Sequence, residues 1–218
     1  MAPDRAELAR RLDHTLLKPQ ATAAEVERLC AEALEHGFFS VCVAPCRIPQ
    51  AARLLAGSAV LPITVIGFPL GFQSTPVKAF EAARAVEQGA REIDMVLNVG
   101  ALKDRDEAAV AADIEAVARS CGAPVKVILE TALLTDAEKV LACRLAAGAG
   151  AAFVKTCTGF SGGGATEADV RLLRANVPGH IGVKASGGIR TRAQALALLA
   201  AGADRLGASA SVAIVTED

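Results

Sequence analysis

Tryptophan and tyrosine are both missing from this 218-residue chain, and aromatic residues make up only 3% of it. Its core must therefore be built from Ala, Val, Leu and Ile. Excess charge of either sign is missing as well: 23 Lys and Arg stand against 24 Asp and Glu, a formal net charge of −1. A chain without a basic surplus lacks the electrostatic footprint of a nucleic-acid binder or of a protein that sits on membrane surfaces. Hydrophobic residues reach 52%, charged residues 22%, and mean hydropathy is +0.37. That excludes a disordered chain and is ample for one sizeable core.

Three further absences narrow the reading. The start, Met1-Ala2-Pro3-Asp4-Arg5, is charged at once and has no apolar segment behind it, so no secretory leader is expected and a cytoplasmic location is. The six cysteines (Cys30, Cys42, Cys46, Cys121, Cys143, Cys157) contain no C-x-x-C pair, and the three histidines are isolated. Free thiols in a reducing compartment are expected, with no metal site and no cofactor. Neither G-x-G-x-x-G nor G-x-x-x-x-G-K-[ST] occurs, which argues against a nucleotide-binding open sheet. Only Leu54–Val77 is long and charge-free enough to suggest a membrane span. Gly57, Pro62, Gly67, Pro69, Gly71 and Pro76 break it, so it reads as a buried strand with flanking turns.

What is present is a repeated grammar. β-Branched runs recur at Leu12–Leu16, Ser40–Val43, Ile63–Phe68, Glu92–Leu97, Val125–Glu130, Phe153–Thr156, Ile181–Ala185 and Arg205–Gly207. Segments rich in Ala, Leu, Glu and Arg separate them, as in a parallel βαβ sheet. Thr22…Glu25, Thr135…Glu138, Thr166…Asp169 and Thr191…Gln194 have the spacing of capping boxes that start helices. Gly37, Gly89, Gly150 and Gly202 mark helix ends, where glycine accepts a left-handed conformation at little cost. Eight such units of about 27 residues predict a single (β/α)8 TIM barrel over residues 1–218, in the α/β class.

In such a barrel, chemistry collects at the C-terminal ends of the strands. The polar residues inside apolar strand runs there are few: Asp13, His14, Asp94, Asn98, Lys126, Glu130, Lys155 and Lys184. Lys155 and Lys184 fall on consecutive strands. A neighbouring ammonium and desolvation together lower a lysine pKa, which makes the amine a nucleophile able to form a Schiff base. Asp94 is the natural partner, a carboxylate able to pair with Lys184 and relay protons. A purely structural ion-pair network is the bland alternative. Glycine-rich turns at Thr158–Gly164 and Ser186–Gly188, with Ala208-Ser209 after the last strand, could aim backbone N–H groups at a phosphate. Gly159–Gly163 fits G-x-S-x-G, but the only later histidine, His180, precedes its strand, so a Ser161 hydrolase is rejected. His14 is expected to be a hydrogen-bonded barrel residue, and His36 suits the end of its helix.

Five motifs carry a resemblance: Leu12-Asp13-His14-Thr15-Leu16-Leu17-Lys18-Pro19, Val65–Gly71, Glu92–Val96, Phe153-Val154-Lys155-Thr156 with Thr158-Gly159-Phe160, and Val183–Arg190. Together they resemble the deoxyribose-phosphate aldolase family, in order from about residue 12 to residue 214. The resemblance implies a class I aldolase that reversibly cleaves 2-deoxy-D-ribose 5-phosphate to D-glyceraldehyde 3-phosphate and acetaldehyde. It implies Lys155 as the Schiff-base lysine, Lys184 as the lysine that tunes it and Asp94 as the proton-relay carboxylate. Thr158, Gly159, Gly187, Gly188 and Ser209 correspond to substrate- and phosphate-binding positions. The expected partner is the sugar phosphate, with a homodimer or homotetramer as the assembly. Another Schiff-base aldolase and a non-catalytic sugar-phosphate-binding barrel are the alternatives.

The chain departs from the family pattern in four places. Cys157 stands in place of a serine and is expected, by strand parity, to face away from Lys155. Ala44-Pro45 replaces Asn-Pro, and Ala210 replaces one of two adjacent serines. The C-terminal tyrosine of many members is missing. The short acidic tail, Val215-Thr216-Glu217-Asp218, is therefore expected to be mobile and to stay outside the active site.

Overall fold

The structure, a computed structural model, describes residues 3–217. Eight strands close into one all-parallel barrel in sequence order: β1 (Leu12–Leu16), β2 (Ser40–Val43), β3 (Leu61–Ile66), β4 (Glu92–Val96), β5 (Val125–Ile128), β6 (Phe153–Lys155), β7 (Gly182–Ser186) and β8 (Arg205–Ala208), which pairs back onto β1. Helix α1 (Arg5–Ala9) precedes the first strand. Helices α2 (Ala23–His36), α3 (Ile48–Leu54) and α4 (Thr75–Glu87) follow the next three gaps. After β4 come α5 (Val99–Lys103) and α6 (Glu107–Cys121). Then α7 (Asp136–Gly148), α8 (Glu167–Ala175), α9 (Arg192–Ala200) and α10 (Ser211–Thr216) follow the last four strands. The expected (β/α)8 barrel is the observed fold.

Local chemistry explains the helix starts. Thr22, Thr135 and Thr191 each accept the N–H three residues on, and Glu25, Glu138 and Gln194 reach back to complete the box. Thr166 caps α8 in the same way, but the shorter Asp169 returns only to the Thr166 hydroxyl. A fourth complete box, Asp4 with Glu7, starts α1, an element the strand pattern did not announce. Strand ends shift from their expected positions by up to two residues. β3 stops at Ile66 because Gly67 turns the chain at φ 60, and β5 stops at Ile128, two residues before Glu130 turns at φ 57.

Strand alternation sorts the side chains into two layers. Ile93 and Met95 on β4, Val125 and Val127 on β5, and Val154 and Val183 point outward into a continuous apolar layer under the helices. Helix α6 meets it with Val110, Ile114 and Val117, one face at helical spacing. Each such burial stabilises by about 1.5–3 kcal/mol. That layer carries the barrel, which leaves the inward positions free for polar groups. At the base of the lumen the Phe153 ring covers Gly182, where an added Cβ would lie 2.1 Å from the ring. Glycine there is a packing requirement.

Candidate active site

The lumen of the barrel is divided. On β2 and β3 the inward residues Cys42, Ile63 and Val65 form a small apolar cluster with Leu17, Leu61 and Phe68. Each of the other strands turns at least one charged residue inward. Asp13, Glu92, Asp94, Lys126, Lys155, Lys184 and Arg205 are all buried. Lys155 and Lys184 are register partners across β6 and β7, and both donate to Asp94 Oδ2 at 2.8 Å. Lys126 pairs with Asp94 Oδ1 at 2.8 Å and with Glu92 at 2.6 Å. Lys184 also reaches Asp13 at 2.5 Å, and Arg205 bridges Asp13 at 3.0 Å and Glu92 at 3.6 Å.

Four cations therefore meet three carboxylates. Lys126, Lys184 and Arg205 each touch two carboxylates, whereas Lys155 touches one. The network is neutral when one cation gives up its proton, and Lys155 is the least compensated of the four. Burial lowers its pKa and the Lys184 ammonium pushes the same way, against the opposing pull of Asp94. Lys184 goes the other way: burial disfavours its charge, but Asp13 and Asp94 outweigh it and hold the ammonium above its ordinary range. Burial alone would raise Asp94, yet Lys126, Lys155 and Lys184 hold it well below the usual carboxylate range. Asp13 falls to about 2, its burial outweighed by Lys184, Lys126 and Arg205. The arrangement places an amine shifted toward its neutral form beside a lysine held protonated and an ionised carboxylate, a set suited to carbinolamine and iminium chemistry at a carbonyl.

Above this network lies a cleft of about 290 Å³, walled by the loops that follow β6, β7, β8 and β1. Lys155 forms part of its lining, with Thr158, Gly159, Gly187, Gly188 and Ser209 around it. The loops after β6 and β7 are packed backbone to backbone: Ala165 N–H donates to Gly187 O at 2.9 Å, and a Cβ on Gly164 would lie 2.7 Å from that same oxygen. Phe160, half exposed, stands edge-on to Phe68 at 5.1 Å.

A family model for DeoC/LacD family aldolases matches residues 8–214. The chain belongs to the DeoC/LacD aldolase family. It is 57% identical over 211 residues to deoxyribose-phosphate aldolase 1 of Bacillus licheniformis, covering 96% of this chain and 95% of that protein. It is 59% identical over 213 residues to the deoxyribose-phosphate aldolase of Rhodospirillum rubrum, covering 97% and 90%. Among solved structures, the tetrameric deoxyribose phosphate aldolase of Aeropyrum pernix superimposes with a TM-score of 0.91 at 37% identity, over 98% of this chain and 91% of that one.

Within this DeoC/LacD barrel the residues singled out from sequence fall into two shells. Lys155 and the five loop residues line the cleft, whereas Lys184 and Asp94 lie beneath it, 1% and 0% exposed. Lys184 sits in the middle of β7, not at its end. Asp13, Glu92, Lys126 and Arg205 complete the network, none of them given a role by the sequence pattern. Arg205 and Glu92 each open a strand instead of interrupting an apolar run, so the pattern of polar interruptions does not mark them. Lys18 and Arg190, both inside recognisable motifs, also line the cleft and add positive charge at its edge.

Two other expectations come out differently. Cys157 is turned from Lys155, but not by parity, since residues two apart on a strand share a face. β6 ends at Lys155, and the Cys157 thiol lies 3.4 Å from the Thr131 hydroxyl. His14 is the hydrogen-bonded barrel residue expected: it points out of the lumen from β1, and its Nε2 meets Glu32 at 2.7 Å across to α2. The tail through Glu217 is tied down, not loose: the Glu217 carboxylate accepts the Arg192 N–H at the start of α9 at 2.5 Å. Glu217 is not part of the cleft lining, and Asp218 lies outside the described residues.

Proposed function

We infer that the chain is a class I aldolase that reversibly cleaves 2-deoxy-D-ribose 5-phosphate to D-glyceraldehyde 3-phosphate and acetaldehyde. The observation that carries this is the single oxygen of Asp94 shared by two lysines, one lining the cleft and one sealed below it. Neutral Lys155 adds to the C1 carbonyl of the open-chain sugar, and loss of water gives the iminium. The C2–C3 bond then breaks, its electron pair passing to the iminium nitrogen, while the C3 hydroxyl loses its proton and becomes the aldehyde of glyceraldehyde 3-phosphate. The enamine takes a proton at C2, and water hydrolyses the new iminium to acetaldehyde and free Lys155. Lys184 and Asp94 hold and return the protons of these steps. The apolar face of Cys42, Ile63 and Val65 suits a two-carbon donor with nothing to recognise but its methyl group.

Gly187, Gly188 and Ser209 are the proposed phosphate contacts, with Lys18 and Arg190 supplying charge; Thr158 and Gly159 bound the sugar. Residues 1–218 act as one barrel domain in this reading. A homo-oligomer of two or four copies fits the exposed apolar side chains Leu70, Phe72, Val77 and Phe80, clustered on the loop after β3 and the start of α4. A tetramer is also how the Aeropyrum pernix relative is described. No helix among the described residues is long and apolar enough to cross a membrane, and the six free thiols, of which only Cys46 is exposed, suit a cytoplasmic setting.

Borohydride reduction in the presence of acetaldehyde tests the assignment. An ethyl group should appear on the peptide containing Lys155, and the native enzyme should release triose phosphate from 2-deoxyribose 5-phosphate. Label on another peptide would move the nucleophile elsewhere; no label and no release would remove the aldolase reading.

A further inference from the structure

Glu130 is a buried carboxylate with no part in the chemistry above. It is 3% exposed and takes φ 57, a left-handed conformation that, among the described residues, only one other non-glycine residue shares. Side chains with a Cβ are disfavoured there. The turn carries the carboxylate from the end of β5 across to the loop after β6. Both of its oxygens lie 3.3 Å from the Thr158 nitrogen and accept that N–H, and Oε2 accepts the Thr158 hydroxyl proton in a short hydrogen bond.

Counting donors then decides what Thr158 can offer a ligand. A hydroxyl has one proton and two lone pairs. The proton is given to Glu130, and one lone pair accepts the Phe160 N–H at 3.0 Å. One lone pair remains, on a residue that lines the cleft. A phosphate dianion brings only lone pairs and cannot use it. A sugar hydroxyl brings a proton and can.

We propose that Glu130 is a positioning residue that fixes the Thr158 hydroxyl as an acceptor for a hydroxyl of the sugar. This corner of the cleft then reads the carbon chain of the substrate, and the phosphate is left to Gly187, Gly188 and Ser209. Glu130 acts through Thr158 and does not itself touch the substrate. The buried carboxylate also repels an anion from this corner, which orients the sugar phosphate end to end. The inference rests on the sugar-phosphate reading of the cleft.

A double-mutant cycle tests it, with Glu130→Gln, Thr158→Val and the pair assayed on 2-deoxyribose 5-phosphate and on unphosphorylated 2-deoxyribose. Each single change should lower kcat/KM by about tenfold or more, and the pair should fall no more than about threefold below the weaker single variant. The preference for the phosphorylated sugar should stay within about twofold of native in all three. Losses that multiply, or a Glu130→Gln enzyme within about threefold of native, would overturn the inference. So would a collapse of the phosphate preference, which would put the dianion at Thr158. Thermal melts accompany the assays, and a Glu130→Gln protein that does not fold would assign the carboxylate to folding instead. A native enzyme that does not cleave the sugar phosphate would remove the parent reading and this one with it. Native turnover with additive losses would remove this one alone.

Discussion

Lys155 and Lys184 stand in register on adjacent strands and donate to one and the same oxygen, Asp94 Oδ2, each at 2.8 Å. Two ammonium groups on one acceptor repel each other, and the pair differs in what else it touches. Lys184 has Asp13 as a second carboxylate, and Lys155 has none. The difference explains why burial and like charge act on Lys155 while Lys184 keeps its proton.

The rate should follow the neutral form of Lys155, so kcat/KM should rise with pH through a pKa below the ordinary lysine value. Asp94→Asn removes the carboxylate that holds the proton on Lys155, and the rising limb should move to lower pH. Lys184→Leu removes the like charge, and the limb should move to higher pH. Both variants should also lose at least about 10²-fold in kcat, the scale of a missing acid–base group. Shifts in the same direction, or a loss confined to KM, would break the assigned roles.

Acid should weaken the fold through the same network. The Asp13 carboxyl is depressed from 3.8 to about 2 by its cations, after burial pulls the other way. A depressed carboxylate stabilises the fold above its unfolded pKa and loses that contribution as pH falls through the folded one. The loss should amount to about 2 kcal/mol between pH 5 and pH 2. Urea unfolding at several pH values measures it, and Asp13→Asn should be less stable at pH 7 but flatter across this window.

Phosphate recognition can be read from substrate preference. Unphosphorylated 2-deoxyribose should be a far poorer substrate, because the remote dianion helps hold the sugar for chemistry. Ser209→Glu places a like charge at the cleft and should remove most of that preference. Equal turnover of both sugars by the native enzyme would argue against a phosphate site on these loops.

The tail should matter to folding more than to turnover. Glu217 accepts a hydrogen bond from the backbone at the start of α9 and is absent from the cleft lining. Deleting Glu217 and Asp218 should lower the melting temperature while changing kcat by less than about threefold. A tenfold fall in kcat, with a matching fall in deuterium exchange into acetaldehyde, would show that the tail takes part in proton transfer.

Much of this is legible in the sequence alone, because it depends on near neighbours in the chain. Thr22 with Glu25 and Thr135 with Glu138 are three residues apart, so their boxes are local and the structure has them as expected. The strands announce themselves as β-branched runs, and Lys155 and Lys184 stand out as polar interruptions of such runs. What the sequence could not reveal is which lysine is shifted toward its neutral form. Val125-Lys126-Val127, Val154-Lys155-Thr156 and Val183-Lys184-Ala185 look alike as strings. Their electrostatics diverge only when the barrel closes and brings Asp13, Glu92 and Asp94 to them from other strands. Lys126 and Lys184 then meet two carboxylates each and Lys155 meets one. Charge compensation at these separations is set by distances across the lumen, which strand register decides and local sequence does not.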